Sequence, residues 1–130
     1  NGFMHLKPLL DKGITTYLIG GLVKPNTNAF IGRGAIACLD LYRFDKCFIG
    51  VNGIHPQFGF TTPDQEEAMV KQKAISLSRE TYVLADQSKF AEISFAKIAD
   101  VHEAAIITND LDDESKKQYL NRTTIKVVTA

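Results

Sequence analysis

The sequence has no excess charge of either sign, because its 15 Lys and Arg residues balance 15 Asp and Glu residues. A protein surface that binds the phosphates of a nucleic acid duplex needs a basic field, so these 130 residues are not expected to contact DNA. No stretch approaches the roughly 20 apolar residues that cross a bilayer, and the first residues contain no charged leader followed by an apolar run. We therefore predict a cytoplasmic location and no contact with a membrane.

Metal-binding and redox motifs are scarce as well. The two cysteines, Cys38 and Cys47, form no Cys-x-x-Cys pair, and the three histidines lack the spacing of metal ligands. We expect reduced, buried thiols and neither a metal ion nor a cofactor. With 45% hydrophobic and 23% charged residues, the composition is that of an ordinary globular protein, and the length fits one domain.

Short apolar segments alternate with segments of helical periodicity along the chain. Strands are predicted at residues 15–19, 46–51, 81–85, 104–108 and 124–128. Helices are predicted at residues 35–42, from 62 to about 78 and at 112–120, besides a short helix near Pro8. Strands that alternate with helices form βαβ units, which indicates an α/β fold of three layers with a mostly parallel sheet.

The helix that follows residue 62 has a recognisable start signal. Thr62 can cap the helix while Gln65 reaches back to it, and Pro63 can occupy the first helical position. The amide groups at such a start are not bonded within the helix, so they favour the binding of an anion.

Glycines and polar residues follow the predicted strands. They are Gly20 and Gly21, Asn52 and Gly53, Asp86 to Lys89, and Asn109 and Asp110. Because the carboxyl ends of parallel strands meet at one edge of a sheet, we expect these residues to line a common pocket. Asn52 can donate and accept hydrogen bonds at once, and Gly53 would let the backbone approach a ligand closely.

Each of these features also has a purely structural interpretation. Asn52 and Gly53 could form a plain turn. Glu67 and Lys71 could be a solvent-exposed i,i+4 helix pair, which contributes about 0.3 kcal/mol. Asp86 could cap a helix, and Lys89 could be a surface cation. Taken one at a time, the structural interpretations are favoured; the convergence of all of them on one edge favours a ligand site.

Four stretches together resemble a known family. They are LIGG at residues 18–21, FDKCFIGVNG at 44–53, TTPD at 61–64 with Glu66, Glu67 and Lys71 after it, and LADQSKF at 84–90. Their order resembles the C-terminal sensor domain of DeoR-type transcriptional repressors. The residues from Phe44 to Asn52 and from Lys71 to Phe90 are most similar to those of fructose-operon and lactose-operon repressors of Gram-positive bacteria.

This resemblance implies a fold similar to that of ribose-5-phosphate isomerase and the CoA-transferases, with ligand sensing in place of catalysis. The implied effector is a sugar phosphate, with fructose 1-phosphate as the leading candidate. The implied binding residues are Asn1, Gly20, Gly21, Asn52, Gly53, Thr62, Asp64, Glu67, Lys71, Asp86 and Lys89. We also expect a homo-oligomer.

The sequence departs from the family pattern in two places. It contains neither the DNA-binding helix-turn-helix domain nor the Asp-x-Gly-Thr-Thr loop that opens such sensor domains and holds the phosphate. We therefore expect residues 1–130 to be a partial, N-terminally truncated sensor domain whose contact with DNA depends on the absent domain.

Two other functions remain open at this point. A phosphosugar isomerase or deaminase would share the fold and could use Glu67 as a general base. However, residues 50–55 offer none of the carboxylates that such enzymes carry after the corresponding strand. Alternatively, the chain could serve chiefly for assembly, with Phe58 and Phe60 packed either into the core or against a second subunit.

Overall fold

The computed structural model describes residues 1–129. Its helices are α1 (Leu6–Asp11), α2 (Gly32–Leu39), α3 (Gln65–Ser76) and α4 (Asp113–Lys117). Its strands are β1 (Leu22–Lys24), β2 (Ala29–Ile31), β3 (Phe44–Gly50), β4 (Gly53–His55), β5 (Gly59–Thr62), β6 (Ser78–Leu84), β7 (Ala96–Ala99), β8 (Ala105–Thr108) and β9 (Ile125–Val127). Two 3₁₀ turns occupy Gln87–Lys89 and Val101–Glu103.

A four-stranded sheet of order β3-β6-β8-β9 forms the centre of the fold, and all of its neighbouring strands are parallel. The strands arise from short, mostly apolar segments, which suit a sheet that is connected by helical crossovers. Helices and two smaller antiparallel sheets, β1-β2 and β4-β5-β7, flank it. The prediction of an α/β fold built on a parallel sheet is confirmed.

One face of the parallel sheet is largely buried; we call it the inner face and define it by Ile49, Val83 and Ile106. These side chains pack in one core cluster with Phe60 and with Tyr119, whose hydroxyl donates a hydrogen bond to the Ile54 carbonyl oxygen at 3.2 Å. Burial alone raises the pKa of Tyr119 to about 12. The inner face therefore carries the main hydrophobic core of the domain.

The antiparallel sheet β4-β5-β7 occupies a stretch that the sequence had indicated as loop. Gly59 ends the β4-β5 turn with a φ of +77°, a conformation that favours glycine. Phe60, one residue later, is fully buried, whereas Phe58 in the turn is exposed and its ring lies 4.9 Å from that of His55. Phe60 is thus a core residue, and only Phe58 is left for an interface.

Residues 15–19 form no β-strand, so the strand predicted there is wrong for this chain. A strand needs a hydrogen-bonded neighbour, and none of the sheets formed within residues 1–129 includes this stretch. The segment instead packs beside α2 and the following residues: the ring of Tyr17 lies 5.8 Å from that of Tyr42, and Ile19 contacts a second core cluster. That cluster joins α2 to α3.

The start of α3 also differs from the predicted one. Asp64 is the N-cap, and its Oδ1 accepts a hydrogen bond from the Glu66 amide at 2.7 Å. Thr62 is unable to cap the helix because it belongs to β5, where it is paired with Ala96. Pro63 accordingly lies before the helix, and α3 begins at Gln65.

No helix within residues 1–129 combines the length and apolar character that a membrane span requires.

Candidate ligand-binding site at the carboxyl edge of the parallel sheet

The two central segments of the predicted site leave the sheet side by side. The last residues of β3 and β6, Gly50 and Leu84, are register partners, and both strands run in the same direction. Asn52 and Asp86 each follow two residues later, so they lie at the same edge of the sheet. A third segment joins them after β8, where Asn109 Oδ1 accepts a hydrogen bond from the Gln87 amide at 3.1 Å.

Asn52 connects the end of β3 to β5. Its amide donates to the Thr61 carbonyl oxygen at 2.9 Å, and its side-chain oxygen accepts from the Thr62 hydroxyl at 3.0 Å. Thr62 is buried, whereas Asn52 is exposed. The side-chain oxygen of Asn52 therefore already has a hydrogen-bond partner. Its side-chain nitrogen is the group that can donate to a ligand hydroxyl.

A charged cluster lies at the first turn of α3. Lys24 Nζ forms an ion pair with Asp64 and lies 3.5 Å from Glu67 Oε2. The hydrogen bond from Lys24 lowers the pKa of Asp64, and the same contact raises the pKa of Lys24. Glu67 is only 8% exposed, so its carboxylate is largely shielded from water and lies beside Lys24. Lys24 could not be recognised from the sequence as part of this cluster, because it lies in β1, far from α3 along the chain.

Lys71 lies one turn further along α3 and reaches the end of β3. Its Nζ donates a hydrogen bond to the Gly50 carbonyl oxygen at 2.9 Å. Burial lowers the pKa of Lys71, and the charge of Glu67 opposes that shift. The interpretation of Glu67 and Lys71 as a solvent-exposed pair is wrong, since Glu67 is buried and contacts Lys24 instead.

A groove with a volume of about 430 Å³ opens beside Lys71. Gly50 and Lys71 line one part of it, and Asn1 lines another. Asn1 is held by its side-chain nitrogen, which donates to the Phe30 carbonyl oxygen at 3.0 Å. The structure thus brings Asn1 and Lys71 to one groove, whose other residues are largely apolar.

Asp86 and Lys89 lie outside this groove, in the 3₁₀ turn that follows β6. Asp86 Oδ1 accepts hydrogen bonds from both the hydroxyl and the amide of Ser88, and the hydroxyl is the main reason that the pKa of Asp86 is lowered. Asp86 is exposed and Lys89 is half-buried. Asp86 therefore acts as a cap in the structure, and both side chains lie at the edge where a ligand could reach them.

Two of the glycines predicted to bind a ligand are packed tightly against other parts of the chain. A Cβ on Gly21 would lie 2.6 Å from the Ile31 carbonyl oxygen, and a Cβ on Gly53 would collide with the carbonyl oxygen of Glu92. Gly21 and Gly53 are required by packing, which corrects the expectation that Gly53 makes room for a ligand. Gly20 has a φ of +70° and open space around it.

Residues 1–129 contain no group of three or more His, Cys, Asp or Glu side chains placed to hold a metal ion.

The Asp64–Lys24 ion pair should make stability depend on pH. Because the folded-state pKa of Asp64 is lowered, its contribution is complete above the unfolded pKa of about 3.9 and is lost as the pH falls through the folded value. We expect Asp64→Asn to reduce the free energy of unfolding by about 1 kcal/mol at pH 7 and by less near pH 2. Urea unfolding at both pH values measures this difference.

Asp112→Asn is the matched control for this variant. Asp112 caps α4 by accepting from the Ser115 amide at 2.7 Å, and it has no ion pair within the described part of the chain. Its replacement should cost less at pH 7. Equal losses for the two variants would show that Lys24 adds nothing to the cap.

A parallel α/β sheet with polar and charged residues gathered at its carboxyl edge defines a class of small-ligand-binding domains. The chain matches the family model "DeoR C terminal sensor domain" over residues 1–111. It therefore belongs to the family of DeoR C-terminal sensor domains, as its motifs had indicated.

The similar proteins are transcriptional regulators of about twice the length. The chain is 50% identical over 128 residues to the uncharacterized HTH-type transcriptional regulator FruR of Bacillus subtilis, and this match covers 98% of the chain and 51% of the relative. It is 34% identical over 122 residues to the HTH-type transcriptional repressor GlcR of the same species, covering 92% of the chain and 47% of the relative. It is 35% identical over 125 residues to the lactose phosphotransferase system repressor of Staphylococcus aureus, covering 94% and 49%. The chain spans about half the length of each of these relatives.

Proposed function

We propose that this chain is the effector-binding part of a transcriptional repressor of carbohydrate metabolism and that its effector is a phosphorylated sugar. The observation that carries this proposal is the position of Lys71, which is partly buried beside a groove at the end of β3 and adjoins the Lys24, Asp64 and Glu67 cluster. A sugar phosphate offers a dianion for a cation and hydroxyl groups for polar side chains.

The electrostatics of the site favour an anionic ligand. Burial disfavours the charged form of Lys71, as its lowered pKa indicates. A bound phosphate would stabilise that charge again, so part of the desolvation cost is recovered when the ligand binds. In this proposal Lys71 contacts the phosphate, while Glu67 orders the wall of the pocket through Lys24.

The hydroxyl groups of the sugar would be contacted from the neighbouring loops. Asn52 supplies an amide nitrogen, and Asp86 and Lys89 follow the adjacent strand at the same edge. Asn1 supplies a further polar side chain within the groove. In this proposal the phosphate lies in the groove beside Lys71, and the sugar extends beyond the groove along the edge of the sheet to Asn52, Asp86 and Lys89, none of which lines the groove.

Fructose 1-phosphate is the leading candidate for the effector. The names of the relatives support a sugar-related ligand, since one is called FruR and another is a lactose phosphotransferase system repressor. A sugar phosphate can act as an inducer only if it binds the DNA-incompetent arrangement of the full-length protein more tightly than the DNA-bound one.

DNA contact would come from outside residues 1–130. Subunits would associate as a homo-oligomer, for which Phe58 is an exposed candidate contact.

The direct experiment is a titration of the full-length protein with fructose 1-phosphate, tagatose 6-phosphate and other sugar phosphates. Thermal stability and release of the operator are followed together. We expect one of these sugar phosphates to raise the melting temperature of the protein and to release the protein from its operator. Absence of both responses for all of them would refute sugar-phosphate sensing.

The rival function is a phosphosugar isomerase or deaminase that uses Glu67 as a base. The position of Glu67 disfavours it, because Glu67 is only 8% exposed, contacts Lys24 at 3.5 Å and does not line the groove, whereas a general base must lie within hydrogen-bond reach of the substrate. Incubation of the same sugars with the protein tests for turnover. Turnover of a sugar phosphate that is lost in Glu67→Gln would show that the protein is an enzyme and not a sensor.

Lys89→Ala is expected to weaken binding of the effector and to leave the repressor on its operator. Lys89 lies in an exposed turn, so the loss of one cation there should weaken binding about three- to ten-fold and hardly change stability. Isothermal titration with fructose 1-phosphate and an operator-release assay measure the two effects. Lys97→Ala, at a lysine in β7, is the control. Unchanged affinity in Lys89→Ala would remove this turn from the site.

A further inference from the structure

The carbonyl oxygen of Ile54 joins three segments of the chain. It accepts one hydrogen bond from the Ala91 amide at 2.8 Å and another from the Tyr119 hydroxyl at 3.2 Å. Ile54 is fully buried and Tyr119 is only 2% exposed, so the hydrogen bond between them is shielded from water. Strand β4, the loop that leads to β7 and the turn after α4 thus meet at one atom. We call Ile54, Ala91 and Tyr119 the Ile54 junction.

Two residues of the candidate site lie next to this junction along the chain. Asn52 precedes Ile54 by two residues, and Lys89 precedes Ala91 by two residues. Between them, Ile54 and Phe90 form an isolated parallel bridge. The junction therefore sets the distance between Asn52 and the turn that carries Lys89, although the two belong to different connections of the sheet.

The backbone of Ala91 has a conformation that its surroundings must maintain. Its φ of +65° lies in the left-handed region, which is unfavourable for a residue with a Cβ. Such residues persist where several contacts hold them, and they are frequent at turns that bind ligands. Here the Ala91 amide is held by the Ile54 carbonyl oxygen, and the ring of Phe90 packs edge to face on that of Tyr119, with the ring centres 5.6 Å apart. Tyr119 therefore supports this turn both through its hydroxyl and through its ring.

We propose that Tyr119 is a positioning residue of the effector site, which holds Asn52 and Lys89 at the separation that the sugar requires. It acts through the Ile54 carbonyl oxygen and the Phe90 ring, since it lies in the main core cluster. Groups that bind a ligand keep their geometry when the hydrogen bonds behind them are rigid. This inference rests on the proposed function, because it assigns Asn52 and Lys89 to the sugar.

The phosphate end of the ligand should not depend on Tyr119. Lys71, which contacts the phosphate in the proposed function, extends from α3 to the Gly50 carbonyl oxygen at the end of β3. Neither residue belongs to the Ile54 junction. The phosphate and the sugar are thus positioned by different parts of the fold. A variant that disturbs only the junction should weaken binding of the sugar and spare binding of the phosphate, whereas a general loss of structure would weaken both.

Tyr119→Phe in the full-length protein tests the proposal, because it removes the hydroxyl and keeps the ring. The Ile54 carbonyl oxygen retains the Ala91 amide as a donor, so no buried group is left without a partner and the fold should persist. Affinities for fructose 1-phosphate and for inorganic phosphate are measured by following the melting temperature as each ligand is added. We expect affinity for fructose 1-phosphate to fall about three- to ten-fold, as for the loss of one neutral hydrogen bond, and affinity for phosphate to stay the same. Tyr82→Phe is the matched control, since the Tyr82 hydroxyl contacts only the exposed Glu80, at 3.5 Å, and it should change neither affinity.

A combined variant identifies the residues through which Tyr119 acts. In a protein that carries both Asn52→Ala and Lys89→Ala, Tyr119→Phe should have no further effect on the affinity for fructose 1-phosphate. A full effect there would overturn the proposal. So would equal losses of affinity for the two ligands in Tyr119→Phe alone, because the role of the hydroxyl would then be purely structural.

The same titrations distinguish failure of this proposal from failure of the proposed function. If the unmodified protein binds fructose 1-phosphate and Tyr119→Phe binds it equally well, only the positioning role of Tyr119 is refuted. If the unmodified protein does not bind fructose 1-phosphate, the proposed effector is refuted, and the positioning role falls with it.

Discussion

Replacing Lys71 by methionine is expected to weaken the binding of fructose 1-phosphate by about ten- to one-hundred-fold, the loss of one charge-assisted hydrogen bond. Methionine keeps the length of the side chain and removes its charge. The free energy of unfolding should hardly change, because the charge of Lys71 is already disfavoured by burial and the Gly50 carbonyl oxygen that it contacts belongs to an exposed residue. Titration calorimetry and urea unfolding of the full-length protein separate the two effects.

The control for this prediction is Lys73→Met on the same helix. Lys73 forms an ion pair with Asp40 at 2.6 Å and takes no part in the candidate site. Its replacement should leave affinity for the sugar phosphate unchanged. If Lys71→Met and Lys73→Met bind alike, the phosphate does not lie beside Lys71.

The pH dependence of binding gives a second measurement on the same residue. Because the pKa of Lys71 is below the usual 10.5, the lysine loses its proton at a lower pH than an exposed lysine does. Affinity for the dianion should therefore fall as the pH rises through that lowered pKa. The fall should be absent in Lys71→Met, since methionine does not titrate.

Gly53→Ala is expected to destabilise the fold by about 3 kcal/mol, the upper part of the range for overpacking. The added methyl group would collide with the carbonyl oxygen of Glu92 and with the Thr61 hydroxyl, and both partners are held in place. The Thr61 hydroxyl accepts a hydrogen bond from the Ser94 amide at 2.8 Å. Glu92 is held through the residue before it, because the Ala91 amide donates to the Ile54 carbonyl oxygen, also at 2.8 Å. Thermal unfolding should shift by about 10 °C.

Gly50→Ala provides the matched comparison. Gly50 also lies in a strand, but a Cβ there would meet nothing within 4 Å, so alanine should cost less than about 1 kcal/mol. Weaker effector binding without loss of stability in Gly53→Ala would instead support the first interpretation of this glycine as a place of close approach to a ligand.

The parallel strands could be predicted from the sequence because each is a short apolar segment. The strand predicted at residues 46–51 corresponds to β3, and the one predicted at 104–108 corresponds to β8. The β4-β5 hairpin was missed because its strands, of three and four residues, are too short to show alternation. Residues 15–19 have the composition of a strand, but composition does not reveal whether a neighbouring strand is present.

The candidate site was predictable in part. Asn52 and Asp86 lie at the same edge of the sheet because they follow two adjacent parallel strands, and this could be predicted from the order of the strands alone. The ion pairs of Lys24 were not predictable, because they depend on how the β1-β2 hairpin packs beside α3. The helix cap was misplaced for a related reason: pairing of Thr62 within β5 overrides its local preference for the cap, and Asp64 takes that place.

The one-directional order of the parallel strands bears on how the domain forms during translation. As residues emerge from the ribosome, β6 can join β3, β8 can join β6, and β9 can join β8, each on a partner that already exists. Growth of the sheet at its C-terminal side never has to wait for a segment that is still unsynthesised. Within the described residues β9 is the last strand to be added, and its edge of three residues offers little backbone for pairing with a neighbouring nascent chain.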